Sequence, residues 1–213
     1  MKYAAFFLIL TIAAFYYIST SSNVLSWLLI CPALNCTILF VAYSLNRPSM
    51  LMGKTRTGQI NLILLLINLP WLLLTWGVWL LEVTFSQEDK MSRIGETNIY
   101  LGRYPRFTKT DNFDLVVDLT SEFLPCKTSA KEYICLPNLD GIQLRNTARL
   151  PRLSIKKKIL IHCAQGHGRS ATYASLLIAQ LFPTISPQEA LCLILKNRPG
   201  ATPSKAQLCQ IRS

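Results

Sequence analysis

The charges of this chain are segregated along its length. Of 22 Lys and Arg and 11 Asp and Glu, only Lys2, Arg47, Lys54, Arg56 and Glu82 fall before residue 86. Three nearly uninterrupted apolar runs occupy that part, at residues 3–18, 24–45 and 60–81. Each is close to the ~20 residues that cross a hydrocarbon core. The first, slightly short, would also suit a cleaved signal peptide. No convincing small-x-small cleavage site follows it and the next run begins almost at once, which favours an anchor. Pro32 and Asn35 in the second run, and Asn68 and Pro70 in the third, predict kinks or helix–helix contacts. Trp71, Trp76 and Trp79 are expected at a membrane–water interface. Residues 1–85 thus read as an α-helical transmembrane region of two or three helices.

Orientation follows from basic residues. The 46–59 loop carries Arg47, Lys54 and Arg56 and the 19–23 loop carries no charge. The positive-inside rule puts the N-terminus and the 46–59 loop in the cytoplasm. A third run that spans fully then puts everything after it on the far side. A third run that is re-entrant, broken at Asn68 to Pro70, or that lies in the interface keeps the rest in the cytoplasm. The seven cysteines are odd in number, scattered, and suggest no disulfide framework, so the cytoplasmic side is preferred. Cys31 and Cys36 read as small apolar residues within a span.

Residues 86–213 hold most of the net charge of +11 and are enough for a compact domain. Residues 86–94 read as a polar linker and 95–213 as the domain. Strands are expected at 98–102, 114–120 and 133–137, and Asp118 as a strand-end residue that ties down a loop. Arg103 and Arg106 read as solvated. A helical region is expected over 142–157, broken near Pro151. The lysines 156–158 form a solvated end that can also meet anionic headgroups. A short apolar run then leads into His162-Cys163-Ala164-Gln165-Gly166-His167-Gly168-Arg169-Ser170, and a helix-like stretch follows. A strand, a tight loop and a helix start make an oxyanion site, because loop N–H groups and the helix N-terminus attract negative charge. Gly166 and Gly168 are expected to take positive φ. Arg169 can offer a bidentate fork to two phosphate oxygens. The same field favours a thiolate at Cys163, a nucleophile facing bound phosphate. Ser186, with Pro187 and Glu189, forms a capping box for a helix running to about Asn197, and a last helix opens at 202–204.

The pattern His162-Cys163, five residues, Arg169-Ser170 resembles the signature of the cysteine-dependent protein tyrosine phosphatase superfamily, and the compact dual-specificity branch most. Tyr100-Leu101-Gly102, Asp118-Leu119-Thr120 and the ending from Arg198-Pro199 to Gln207-Leu208 are similar to that branch as well. The likeness runs from about residue 95 onward. It implies an α/β fold, a dual-specificity phosphatase-like central sheet flanked by helices. It implies Cys163 as nucleophile, with Arg169 and the N–H groups of Ala164, Gln165, Gly166, His167 and Gly168 holding phosphate. Ser170 would assist the thiolate, and no metal or cofactor would be needed. Asp140 is the best match to the general acid, 23 residues before Cys163, a shorter interval than the family's usual one. Asp140-Gly141 also suits a plain turn, and His167 suits either a phosphate contact or a loop cap.

Two functional classes follow. One is a membrane-anchored phosphatase acting on phosphoproteins or on a lipid phosphate such as phosphatidylglycerophosphate. The other is a non-catalytic, membrane-tethered phosphate-binding protein. The implied partners are a phosphorylated protein or phospholipid and the lipid bilayer. Nucleic-acid binding is not expected, because no aromatic–basic surface pattern accompanies the positive charge.

Overall fold

In a computed structural model of the protein, residues 2–212 are described except Phe107, Lys127, Ser129 and 146–155. Most of the helix expected over 142–157 lies outside the described residues, and 142–145 are turn and coil.

The apolar part is helical. Helix α1 (Lys2–Thr20) runs out, a 3-10 segment (Val24–Leu29) turns, and α2 (Ile30–Ser44) returns against α1. Pro32 lies in the first turn of α2, where its missing N–H costs nothing. A short α3 (Ser49–Met52) ends at Gly53 in the left-handed region, and α4 (Leu62–Phe85) follows an Asn61 side-chain cap. Helix α4 is continuous through Pro70, so the expected break at 68–70 does not occur. Asn68 instead joins the helices. Its Oδ1 accepts from Asn35 at 2.9 Å and its Nδ2 donates to Leu51 O at 2.9 Å. Buried amides in an apolar setting need such partners. By length and composition three helices, Lys2–Thr20, Ser26–Ser44 and Leu62–Phe85, can cross a membrane.

The rest forms a mixed α/β layer around a five-stranded sheet in the order β1-β2-β5-β3-β4. The strands are β1 (Met91–Arg93), β2 (Ile99–Gly102), β3 (Leu115–Thr120), β4 (Glu132–Asn138) and β5 (Ile159–His162). Among the described residues only the β1–β2 pair is antiparallel. Strand β1 was not expected: it lies inside the stretch read as a linker, too polar to carry a strand signal. Every residue of β3 and β5 is buried, as befits parallel strands covered on both faces. Alternation sorts the faces. Leu115, Val117, Leu119, Ile159 and Ile161 join the main core, whereas Val116 and Leu160 join a smaller cluster with Phe113. Helices α5 (Gly168–Leu181), α6 (Pro187–Asn197) and α7 (Lys205–Arg212) pack together, and the capping box at Ser186 starts α6.

The helical part and the sheet are locked by a buried ion pair. Lys54, from the loop before α4, meets Asp118 at 2.6 Å with both side chains fully buried. The neighbouring Arg56 carbonyl accepts from Cys135 N on β4.

Candidate active site

Strand β5 is central, and His162, its last residue, sits beside Gly102 of β2 and Asp118 of β3. Cys163 therefore leaves the sheet at its C-terminal edge, where open α/β sheets build sites. The loop curls into the start of α5. Gly166 has φ 78°, and a Cβ there would fall 2.6 Å from the carbonyl of Gly102, so only glycine fits. Gly168 corrects the expectation of positive φ. It begins α5, and its constraint is space, since a Cβ would lie 2.9 Å from Gln207 Oε1.

The loop's carbonyls are turned away from its centre. Ala164 O accepts from Tyr104 N at 3.0 Å and from Trp79 Nε1 at 2.9 Å. Arg198 reaches Gly166 O and Gln165 O, both at 3.0 Å. Carbonyls so engaged free the loop to turn its N–H groups inward, as an anion cup requires. Cys163 Sγ lies 3.4 Å from Ser170 Oγ. Only 3% of Cys163 is exposed, but it lines a cavity of about 230 Å³ together with Asp140, His167 and Arg169. Burial pushes the Cys126 and Cys135 thiols up to about 12, which leaves those two inert.

Arg169 keeps one edge for the expected fork. Its Nη1 and Nη2 grip Glu122 at 2.9 and 2.6 Å, and Nη1 also donates to Asn138 O. Of five N–H donors, those on Nε and one on Nη2 are left, side by side. Nε has no hydrogen-bond partner, although Asp140 Oδ1 stands 3.2 Å away as an ion pair. The edge of the guanidinium, not its end, is what a phosphate can take. Burial opposes the Arg169 charge, but the Glu122 and Asp140 carboxylates outweigh it and hold its pKa well above the usual value. Burial likewise opposes the Glu122 charge, yet Arg169 beside it lowers that pKa.

Of the expected residues, Cys163, Arg169, Ser170, Asp140 and the loop 164–168 converge. Asp140 lies at the cavity mouth with its side chain 60% exposed. The adjoining Gly141 has φ 72°, so Asp140 also makes its turn. His167 lines the Cys163 cavity while its Nε2 meets Glu88 at 2.6 Å, and its side chain makes no cap bond. Asp118 holds the turn after β3 through Thr120 N at 2.8 Å and faces His162, whose charge is disfavoured chiefly by burial. Arg103 is buried, bonded to the Val83 and Glu88 carbonyls, not solvated. Lys158 lies over the Tyr100 and Phe113 rings.

Several residues went unrecognised in the sequence. Glu122 anchors Arg169, and Arg198 anchors the loop. An acidic residue just past a buried parallel strand was the available signal for Glu122. Trp76 donates to Glu122 O at 2.7 Å and Trp79 to Ala164 O, so their indole N–H groups meet the sheet layer. Glu82 receives Gln165. Positions 76, 79 and 82 share one face of α4.

No family model matches the chain, and none of the curated proteins does. Solved structures are similar to it. A mouse putative dual specificity phosphatase complexed with zinc tungstate is 15% identical, with a TM-score of 0.48 over 60% of this chain and 90% of that one. PTPMT1 in complex with PI(5)P is 25% identical, with a TM-score of 0.48 over 58% and 93%. A human tyrosine phosphatase-like serine/threonine/tyrosine-interacting protein is 16% identical, with a TM-score of 0.48 over 59% and 95%.

Proposed function

We propose that this chain is a membrane-tethered phosphatase that hydrolyses phosphomonoesters through a phosphocysteine. One observation carries the reading: Cys163 Sγ, Ser170 Oγ and an Arg169 Nε without a hydrogen-bond partner lie around one loop whose Ala164, Gln165 and Gly166 carbonyls are bonded outside it. The thiolate attacks phosphorus and the ester oxygen leaves. Inward N–H groups and the Arg169 edge hold the equatorial oxygens, while the N-terminus of α5 adds its partial positive charge. Asp140 gives the leaving oxygen its proton, then takes one from the water that attacks the phosphocysteine. In that second step sulfur departs as a thiolate, and Ser170 Oγ donates to it. Substrate phosphate displaces Asp140 from the Arg169 edge, which frees the carboxyl for proton transfer.

The same reading places the catalytic layer in the cytoplasm. The C-terminal half of helix α4 touches that layer through Trp76, Trp79, Glu82 and Val83 O, which accepts from Arg103, and the Lys54–Asp118 pair fastens the loop before the helix. A helix fastened to the layer along its C-terminal half, with the loop before it fastened to the same layer, lies in the membrane interface and does not carry the domain across. The hairpin α1–α2 is then the inserted part.

The test is Cys163→Ser in the full chain in detergent, assayed on a chromogenic aryl phosphate. Hydrolysis is expected to vanish. Full activity in the variant would refute the mechanism and leave the phosphate-binding alternative.

A further inference from the structure

A second and larger cavity, about 640 Å³, lies between α1, α4 and the catalytic loop. Its size falls within the ~300–1,000 Å³ of small-molecule sites. Phe7, Trp71 and Phe123 make much of its wall. Its outer rim includes Phe6, Leu74 and Val78, all exposed, Leu74 at 59% and Val78 at 50%. Leu74 and Val78 belong to a stripe on α4 with Leu62, Leu66, Ile67 and Leu81, every one exposed and apolar. The cavity thus opens on the exposed apolar face of α4. Its inner end is polar. Asp140, Ala164, Gln165 and Arg169 line it and also line the cavity that holds Cys163. Two buried polar atoms without hydrogen-bond partners belong to its lining residues, Arg169 Nε at the inner end and Thr75 Oγ1 along α4.

We propose that this cavity holds the hydrocarbon chain of a lipid phosphomonoester whose phosphate rests over Cys163. The inference rests on the phosphatase reading and names its substrate class. An apolar chamber that is open to the bilayer and continuous with an anion cup suits a molecule with a hydrocarbon tail and a terminal phosphate. The Arg169 edge takes the phosphate, and Thr75 Oγ1 meets a glycerol or ester oxygen near the head of the chain. A phosphopeptide has no use for the chamber, and its polar backbone is excluded from the bilayer-facing rim.

The test uses the full chain in mixed micelles at fixed surface concentration. Its substrates are an aryl phosphate, a phosphotyrosine peptide, and phosphatidic acids with six-carbon and sixteen-carbon chains. Burial of methylenes is expected to raise kcat/KM from short to long chain by more than about tenfold. Val78→Trp and Leu74→Trp narrow the chamber from its exposed rim, where bulk does not disturb a packed core. Each is expected to lower the ratio of long-chain to aryl phosphate turnover by about tenfold. Equal rates at both chain lengths, an unchanged ratio in both variants, or a preference for the peptide overturns the lipid assignment and leaves the phosphatase reading standing. Failure on every substrate, the aryl phosphate included, overturns both.

Discussion

At the scale of single residues, the site depends on how Arg169 is held. Glu122 fixes two of its nitrogens, so the residue that orients the phosphate ligand is itself oriented by a buried carboxylate. Glu122→Gln leaves the guanidinium charge without its main partner. Breaking a buried pair costs about 3–5 kcal/mol, to be read as a lowered thermal midpoint in detergent. kcat/KM is expected to fall with it; an unchanged midpoint and rate would show that Asp140 alone suffices. Gly166 is the second pressure point. Gly166→Ala forces a Cβ against the Gly102 carbonyl at a positive φ, which displaces the loop. A shift of about 1 Å in a catalytic group costs on the order of 100-fold. Steady-state kinetics on an aryl phosphate is expected to show a loss of that order, and a wild-type rate would mean the loop does not need this conformation.

At the scale of elements, the joint between the membrane part and the sheet is the Lys54–Asp118 pair. Lys54→Met leaves Asp118 buried without its cation, at about 3–5 kcal/mol. The double change Lys54→Met with Asp118→Leu is expected to recover most of that, as apolar replacement of a buried pair often does. Burial would raise the Asp118 pKa, but Lys54 outweighs it and the net shift is downward. The pair's stabilisation is thus full above the unfolded carboxylate pKa of about 3.9 and fades as pH falls through the lower folded value. Acid unfolding of the wild type carries this component and the double variant loses it; identical acid profiles would contradict the assignment. This joint was not legible in the sequence. Strands β2 to β5, the capped α6 and the Cys163 loop were, because alternation, caps and spacing are local signals. Lys54 and Asp118 lie 64 residues apart and Arg169 and Glu122 47 apart, and only the fold brings each pair together. The bonds of Trp76 and Trp79 to the sheet layer were hidden for the same reason. An apolar helix with tryptophans reads alike whether it faces lipid or protein.

At the scale of the whole molecule, α4 has two jobs, one exposed apolar face and one face bonded to the catalytic loop. In the proposed arrangement the 46–59 loop and the domain share one side of the membrane and the α1–α2 turn inserts away from it. In sealed vesicles an impermeant maleimide is expected to label Thr57→Cys and the exposed Cys192 and Cys209 from the same side, and Ser22→Cys from the other or not at all. Labelling of Thr57→Cys and Cys209 from opposite sides would mean that α4 crosses. Everything at this scale converges on one sulfur, and the covalent step there is tested most directly by rapid acid quench of the full chain during aryl phosphate turnover, followed by mapping of the bound phosphate by mass spectrometry. Phosphate on Cys163, formed in a pre-steady-state burst and absent from Cys163→Ser, is the expected result. Turnover with no phosphoenzyme at Cys163, or with the label on another residue, would contradict it.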